Sequence, residues 1–161
     1  MTVSSPARSL AIGGAMTVVG AALTIVGTLL PWAHFDPVLA AAANASSSPI
    51  GFEWDDGKIF VFVAVLTIVA SGCRLAGQWL SPRLVAPVGK LLGSGAGLSA
   101  LAGGYVVCFG ILNLRDITAE ADRLNAIVSG SASVGIGIYL DLAAGIVILA
   151  GGAIGLLRNR R

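Results

Sequence analysis

Four apolar stretches divide this chain, at residues 10–30, 59–80, 91–114 and 134–157. Each runs to about 21–24 residues, and a helix needs roughly 20 to cross the hydrocarbon of a bilayer. Water cannot satisfy backbone groups there, so each stretch is expected to be helical. Polar segments separate them: 31–58 and 115–133 on one side, and the short 81–90, with Pro82 and Pro87, on the other. The pattern predicts an all-α, integral membrane four-helix bundle in a single transmembrane domain, 1–161. Arg74 interrupts the second stretch near its end, where a long stem carries the guanidinium to the headgroups beside Trp79. Residues 117–127 read as a short amphipathic helix lying on the membrane surface. The first apolar stretch is too long for a signal-peptide core, and the small residues at Ala43-Asn44-Ala45 lie too far downstream for its cleavage site. It is therefore expected to stay as a span.

Charge adds an orientation. The amino-terminal end, the end of the second stretch with the short loop after it, and the carboxy-terminal end hold Arg8, Arg74, Arg83, Lys90, Arg158, Arg160 and Arg161, with no acid among them. The two long loops hold Asp36, Glu53, Asp55, Asp56, Asp116, Glu120 and Asp122 against Lys58, Arg115 and Arg123. Basic loops resist translocation, so both termini are expected in the cytoplasm and the long loops outside. Only 11% of the 161 residues are charged and mean hydropathy is +0.90, whereas a soluble domain carries about 25% charge. No basic stripe interleaved with aromatics is present, which excludes nucleic acid as an expected partner. Arginine outnumbers lysine eight to two, a bias that fits a bacterium of high GC content and a multi-pass plasma-membrane protein. Cys73 and Cys108 fall at different depths in their spans, too far apart to bridge, and are expected to pack as small apolar residues.

Small residues mark faces for close packing. Gly13, Thr17, Gly20, Thr24 and Gly27 follow a 4, 3, 4, 3 spacing, which is one face of a helix in left-handed packing. The threonines are expected to donate across to a neighbour. Gly93 with Gly97, and Gly151 with Gly155, form GxxxG pairs that mark close helix crossings. The first seam is expected to pack against another helix of the chain, with a partner protein as the competing occupant. Asp141 lies inside the fourth stretch, on a face with Gly137, Ala144, Gly145, Gly152 and Gly155. A carboxyl group in the membrane is costly and faces protein or a water-filled cavity. Tyr105, Arg115 and Lys58 are the expected partners. A structural, hydrogen-bonded aspartate is preferred over a proton or substrate site, because no chain of titratable groups leads inward.

Catalysis finds no support. No Ser-His-Asp, Cys-His, HExxH or paired-acid arrangement is present, so no enzyme and no cofactor are expected. His34 is the single histidine, and with Asp36, Glu53, Asp55 and Asp56 it lacks the spacing of metal ligands. The acids before the second span read as solvated charge, with Asp55 and Asp56 favoured at a helix N-terminus.

Leu30-Pro31-Trp32, Gly51-Phe52-Glu53-Trp54-Asp55-Asp56-Gly57, Gly135-Ile136-Gly137-Ile138-Tyr139-Leu140 and the Arg158-Asn159-Arg160-Arg161 tail together resemble small four-helix membrane proteins of actinobacteria. The chain is similar in size and style to accessory subunits of mycobacterial Mce-type lipid importers. That resemblance implies a non-enzymatic accessory or structural subunit of a larger integral-membrane complex, with membrane lipids around it. No site residue carries over. Claudin-like proteins also share a large first outer loop with two tryptophans, here Trp32 and Trp54, but the cysteine pair that follows in claudins is absent. The competing expectations are a small homo-oligomeric transporter or channel built on Asp141, and a protein that binds lipid in a groove between helices.

Overall fold

The computed structural model describes residues 5–77 and 95–159 of the chain. It is mostly helical. Helix α1 spans Ser5–Leu29, α2 Pro37–Ala42, α3 Asp55–Gly77, α4 Gly95–Ile127 and α5 Ile136–Asn159. A two-stranded antiparallel ladder joins the long loops: β1, Ala33–Phe35, pairs with β2, Ala132–Val134, in the register His34 to Ser133. Three of the described helices are long and apolar enough to cross a membrane: Ala11–Leu29 of α1, Gly95–Ile127 and Ile136–Leu157 of α5. Helix α3 opens on Asp55, Asp56 and Lys58. The expected inner loop 81–90, Trp79 and Gly93 lie outside the described residues, as do the side chains of Cys73 and Arg74.

Helix α5 is the centre of the bundle, packed most extensively on α1 and α4, while α3 lies against α1 and more lightly on α4. Burial explains the arrangement. The buried positions of α4 include Ala96, Ser99, Gly103, Val106, Gly110, Asn113 and Ile117, a 3, 4, 3, 4 spacing. Those of α5 include Asp141, Ala144, Ile148, Gly151 and Gly155. Both match the spacing of the α1 seam, the period that keeps one face against a neighbour. Large apolar side chains point the other way: Val26, Phe62, Leu101 and Ile146 are all exposed, as expected of surfaces meeting acyl chains. Cys108 is exposed too, so it faces outward instead of packing inside.

The loop expected over residues 115–133 is largely helix. Helix α4 continues without a break to Ile127, 33 residues in all. At 1.5 Å per residue it is about 50 Å long, against roughly 30 Å of hydrocarbon. Its far end therefore stands away from the bundle instead of lying on the membrane surface. Tertiary packing is the reason: Ile117 and Ala121 keep the buried period going and are almost fully covered, although charges surround them.

That far end carries a small head. Asp36 caps α2, its Oδ1 accepting from Val38 N at 2.8 Å and Leu39 N at 3.3 Å. The Asp36 N–H in turn donates to Ser131 O. Asn125 ties α4 to β2. Its amide nitrogen donates to Ala132 O at 2.9 Å, and its oxygen accepts from Ala132 N at 3.0 Å and from the Ser131 hydroxyl at 3.3 Å. Gly130 has φ +78°, the left-handed turn that lets the chain reverse between them. Asn125→Ala is expected to destabilise the head by about 1–3 kcal/mol, since it orphans partly buried backbone groups. Hydrogen exchange at Ala132 is the readout, with protection falling there and not at Ile148.

Candidate functional site

The buried polar group sequence analysis singled out is Asp141, and its partner is Trp32. Pro31 has no N–H to donate and follows the last turn of α1, which closes with Leu30 N on Gly27 O at 3.1 Å. The chain then turns beneath the head. Trp32 N donates to Pro49 O, while Gly137 N donates to Pro31 O and Gly135 N to Trp32 O. These bonds lock the indole in place. Trp32 is completely buried, between Trp54 at 6.2 Å and Phe60 at 5.7 Å between ring centroids. Gly51 lies flat against the indole, where any Cβ would overlap the ring. The Trp32 Nε1–H then donates to Asp141 Oδ2 at 3.1 Å. Asp141 is also completely buried, and no side chain among the described residues donates to its Oδ1. That oxygen sits against Gly27, in the space a Cβ there would take.

The expected partners of Asp141 are elsewhere. Tyr105 stacks on Phe109 at 4.4 Å and meets Phe60 edge-on at 6.0 Å. Lys58 pairs with Asp55 at 2.9 Å, and Arg115 makes no ion pair among the described residues. Lys58 holds the Asp55 carboxyl below its usual range, first by its hydrogen bond and then by its charge. Both side chains are largely exposed, so the pair adds little to stability.

The α1 seam lies against α5. A Cβ on Gly13 would sit 2.9 Å from Gly151 O, and one on Gly20 would sit 2.7 Å from Ile148 Cγ1 and 2.9 Å from Ala144 O. Gly155 N is 3.6 Å from the Gly13 position. The threonines do not bond across, as the sequence had led us to expect. Thr17 donates to Gly13 O at 2.9 Å and Thr24 to Gly20 O at 3.2 Å. The carbonyl four residues back is always within reach, so a hydroxyl in a dry setting takes it first. On α4 the close crossing is not at Gly97, whose nearest neighbour across is Leu156 at 3.8 Å. Gly103 is the contact, with Gly145 O 2.8 Å from its Cβ position and the backbone of Leu149 closer still. The GxxxG pattern missed it because Gly103 faces single small residues on α5 and has no glycine four positions away on its own helix.

Three hollows lined by described residues bear on function. One, of about 10 Å³, lies between the helices toward the end opposite the head, among Gly13, Thr17, Ser71, Ser99 and Gly152, room for about one water. A second, about 240 Å³ and almost wholly apolar, opens between α3 and α4 over Val63, Leu66, Leu98, Leu101 and Tyr105. The third, about 230 Å³, lies in the head over Phe35, Leu39, Ala40 and Leu124, with Glu120 as its single acid. His34 makes one exposed contact, its Nδ1 3.1 Å from the Ser48 hydroxyl. No group of three metal-ligating side chains occurs among the described residues.

No family model, curated protein or solved structure matches this chain.

Proposed function

We propose that this chain is a non-enzymatic accessory subunit of a larger integral-membrane complex, such as an envelope lipid transporter. The observation that carries it is a closed interior beneath a built head. The described helices pack closely, with a void of about 10 Å³ among Gly13, Thr17, Ser71, Ser99 and Gly152, which supports a packed interior over a solute path among the described residues. The hydroxyls of Thr17, Thr24, Thr67 and Ser99 bond their own helices. Asp141 faces Trp32 and Gly27 inside the protomer, which favours a structural role over one in a pore between copies. A packed interior beneath an ordered head built from both long loops fits a part that positions or stabilises another protein.

In this reading α3 is the fourth span and both termini are cytoplasmic. Arg8, Arg74 and Arg158 fall on the ends of α1, α3 and α5 opposite the head, whose loops hold the acids. That is the distribution a membrane imposes on its two faces.

Pull-down of the tagged protein from its native membrane in mild detergent, followed by mass spectrometry, tests the proposal. A larger membrane protein recovered in stoichiometric amount is the expected result. Recovery of this chain alone, as a homo-oligomer, would sink it.

The α3–α4 groove favours a second reading, in which the protein holds a lipid. It is apolar and flanked by exposed Phe62, Leu66 and Leu101, so an acyl chain would lie in it. Native mass spectrometry should then find one lipid that resists delipidation, and Leu101→Trp should expel it.

A further inference from the structure

The head has an apolar surface that neither the bundle nor a bilayer explains. Helix α4 rises about 20 Å past Leu114 at 1.5 Å per residue, and the head hollow lies against this extension, at Glu120 and Leu124. Its lining residue Leu39 is exposed, as are Val38 next to it in α2 and Ile127 and Val128 at the far end of α4. Exposed apolar side chains beside an apolar pocket mark an interaction site rather than ordinary surface. A second, more open hollow of about 490 Å³ adjoins it, sharing Phe35 and Ala45, and carries Glu53, Trp54 and Asp55. The two form one acid-flanked groove across the head.

Size and charge choose the occupant. The inner hollow is smaller than the roughly 300–1,000 Å³ of sites for drug-sized ligands. It suits one large side chain, the anchor that dominates protein interfaces. Seven acids against three bases on the long loops repel anionic headgroups and attract a basic chain. We propose that this groove docks an extended segment of a partner protein, with a large apolar side chain in the hollow by Leu124 and a basic residue facing Glu53, since Asp55 and Glu120 already pair with Lys58 and Arg123. The inference rests on the accessory-subunit reading and gives it a contact surface: the head instead of the small-residue seams, which the bundle itself covers.

The test uses the full chain in nanodiscs of zwitterionic phosphatidylcholine. The probe is a labelled peptide of alternating leucine and lysine, compared with its leucine–glutamate counterpart and with oleate. The lysine peptide is expected to bind and the glutamate peptide not to. Ala45→Trp, an exposed position shared by both hollows, should weaken binding about tenfold, as loss of an anchor does. Glu53→Lys should weaken it as well while leaving the melting temperature unchanged. Several results would overturn the proposal: no binding of the lysine peptide, equal binding of both peptides, indifference to Ala45→Trp, or oleate binding that Ala45→Trp abolishes. The pull-down separates the two ideas. A stoichiometric partner that the Ala45→Trp protein still retains removes the groove and leaves the subunit reading; no partner for the wild-type protein removes the subunit reading itself.

Discussion

Trp32→Ala is expected to destabilise the protein by about 3–5 kcal/mol, the usual cost of emptying a fully buried tryptophan site. Three contacts go at once: the stack on Trp54 and Phe60, the surface under Gly51, and the hydrogen bond to Asp141. Trp32→Phe isolates the last of these. It keeps most of the ring but removes the donor, leaving a buried carboxyl group without a partner, and should cost about 1–3 kcal/mol. Asp141→Asn can place its amide oxygen where Oδ2 accepts from Trp32 and is expected to change stability by less than about 1 kcal/mol, because that bond survives. Asp141→Ala should cost as much as Trp32→Phe. Combining Trp32→Phe with Asp141→Ala should give a coupling energy of about 0.5–3 kcal/mol, as for residues in direct contact. Reversible denaturation in mild detergent is the readout. Additive effects of the two changes would show that the bond does not hold the head to α5.

Gly20→Leu is the second large effect. Its Cβ would meet Ala144 O at 2.9 Å and Ile148 Cγ1 at 2.7 Å. The first of these is backbone, which cannot rotate away, so α1 and α5 must separate. Overpacking of this kind costs about 1–3 kcal/mol and sometimes more. Gly103→Leu should act alike, since it faces the backbone of α5 at Gly145 and Leu149. Gly104→Ala supplies the contrast, because nothing lies within 4 Å of its Cβ position. It should be neutral or stabilising by up to about 1 kcal/mol, the helix-propensity gain of alanine over glycine. If Gly104→Ala were as harmful as Gly20→Leu, the assignment of which glycines pack would be wrong.

These two sites differ in how far the sequence reveals them. The α1 seam is legible because packing period and residue size appear together: Gly13, Thr17, Gly20, Thr24 and Gly27 need only a helix to fall on one face. Asp141 is legible as an oddity, an acid in an apolar run. Its partner is not, because Trp32 is 109 positions away and a tryptophan after Pro31 reads equally well as an interfacial anchor. The clue available is that a buried indole N–H needs an acceptor, and Asp141 is the acid at that depth. The extension of α4 is hidden for a different reason. Hydropathy falls at Arg115 and Asp116, whereas the helical period continues through Ile117, Ala121 and Leu124. Length in the membrane and length of the helix are separate quantities, and hydropathy measures only the first. The β1–β2 pair is too short for any alternating pattern to announce it, and it exists because Asn125 and Asp36 hold its two sides.

The account's central claim is a closed helical bundle below an outward-facing head. Cysteine labelling tests it most directly. In a Cys73→Ser, Cys108→Ser background, Ser46→Cys places a thiol on the exposed head, and Ser99→Cys places one inside the bundle, where Ser99 is 4% exposed. A membrane-impermeant maleimide should label Ser46→Cys on intact cells and leave Ser99→Cys unlabelled even after the membrane is opened. Labelling of Ser99→Cys would reveal a water-filled interior and favour a transporter, and labelling of Ser46→Cys only in opened cells would turn the head to the cytoplasm.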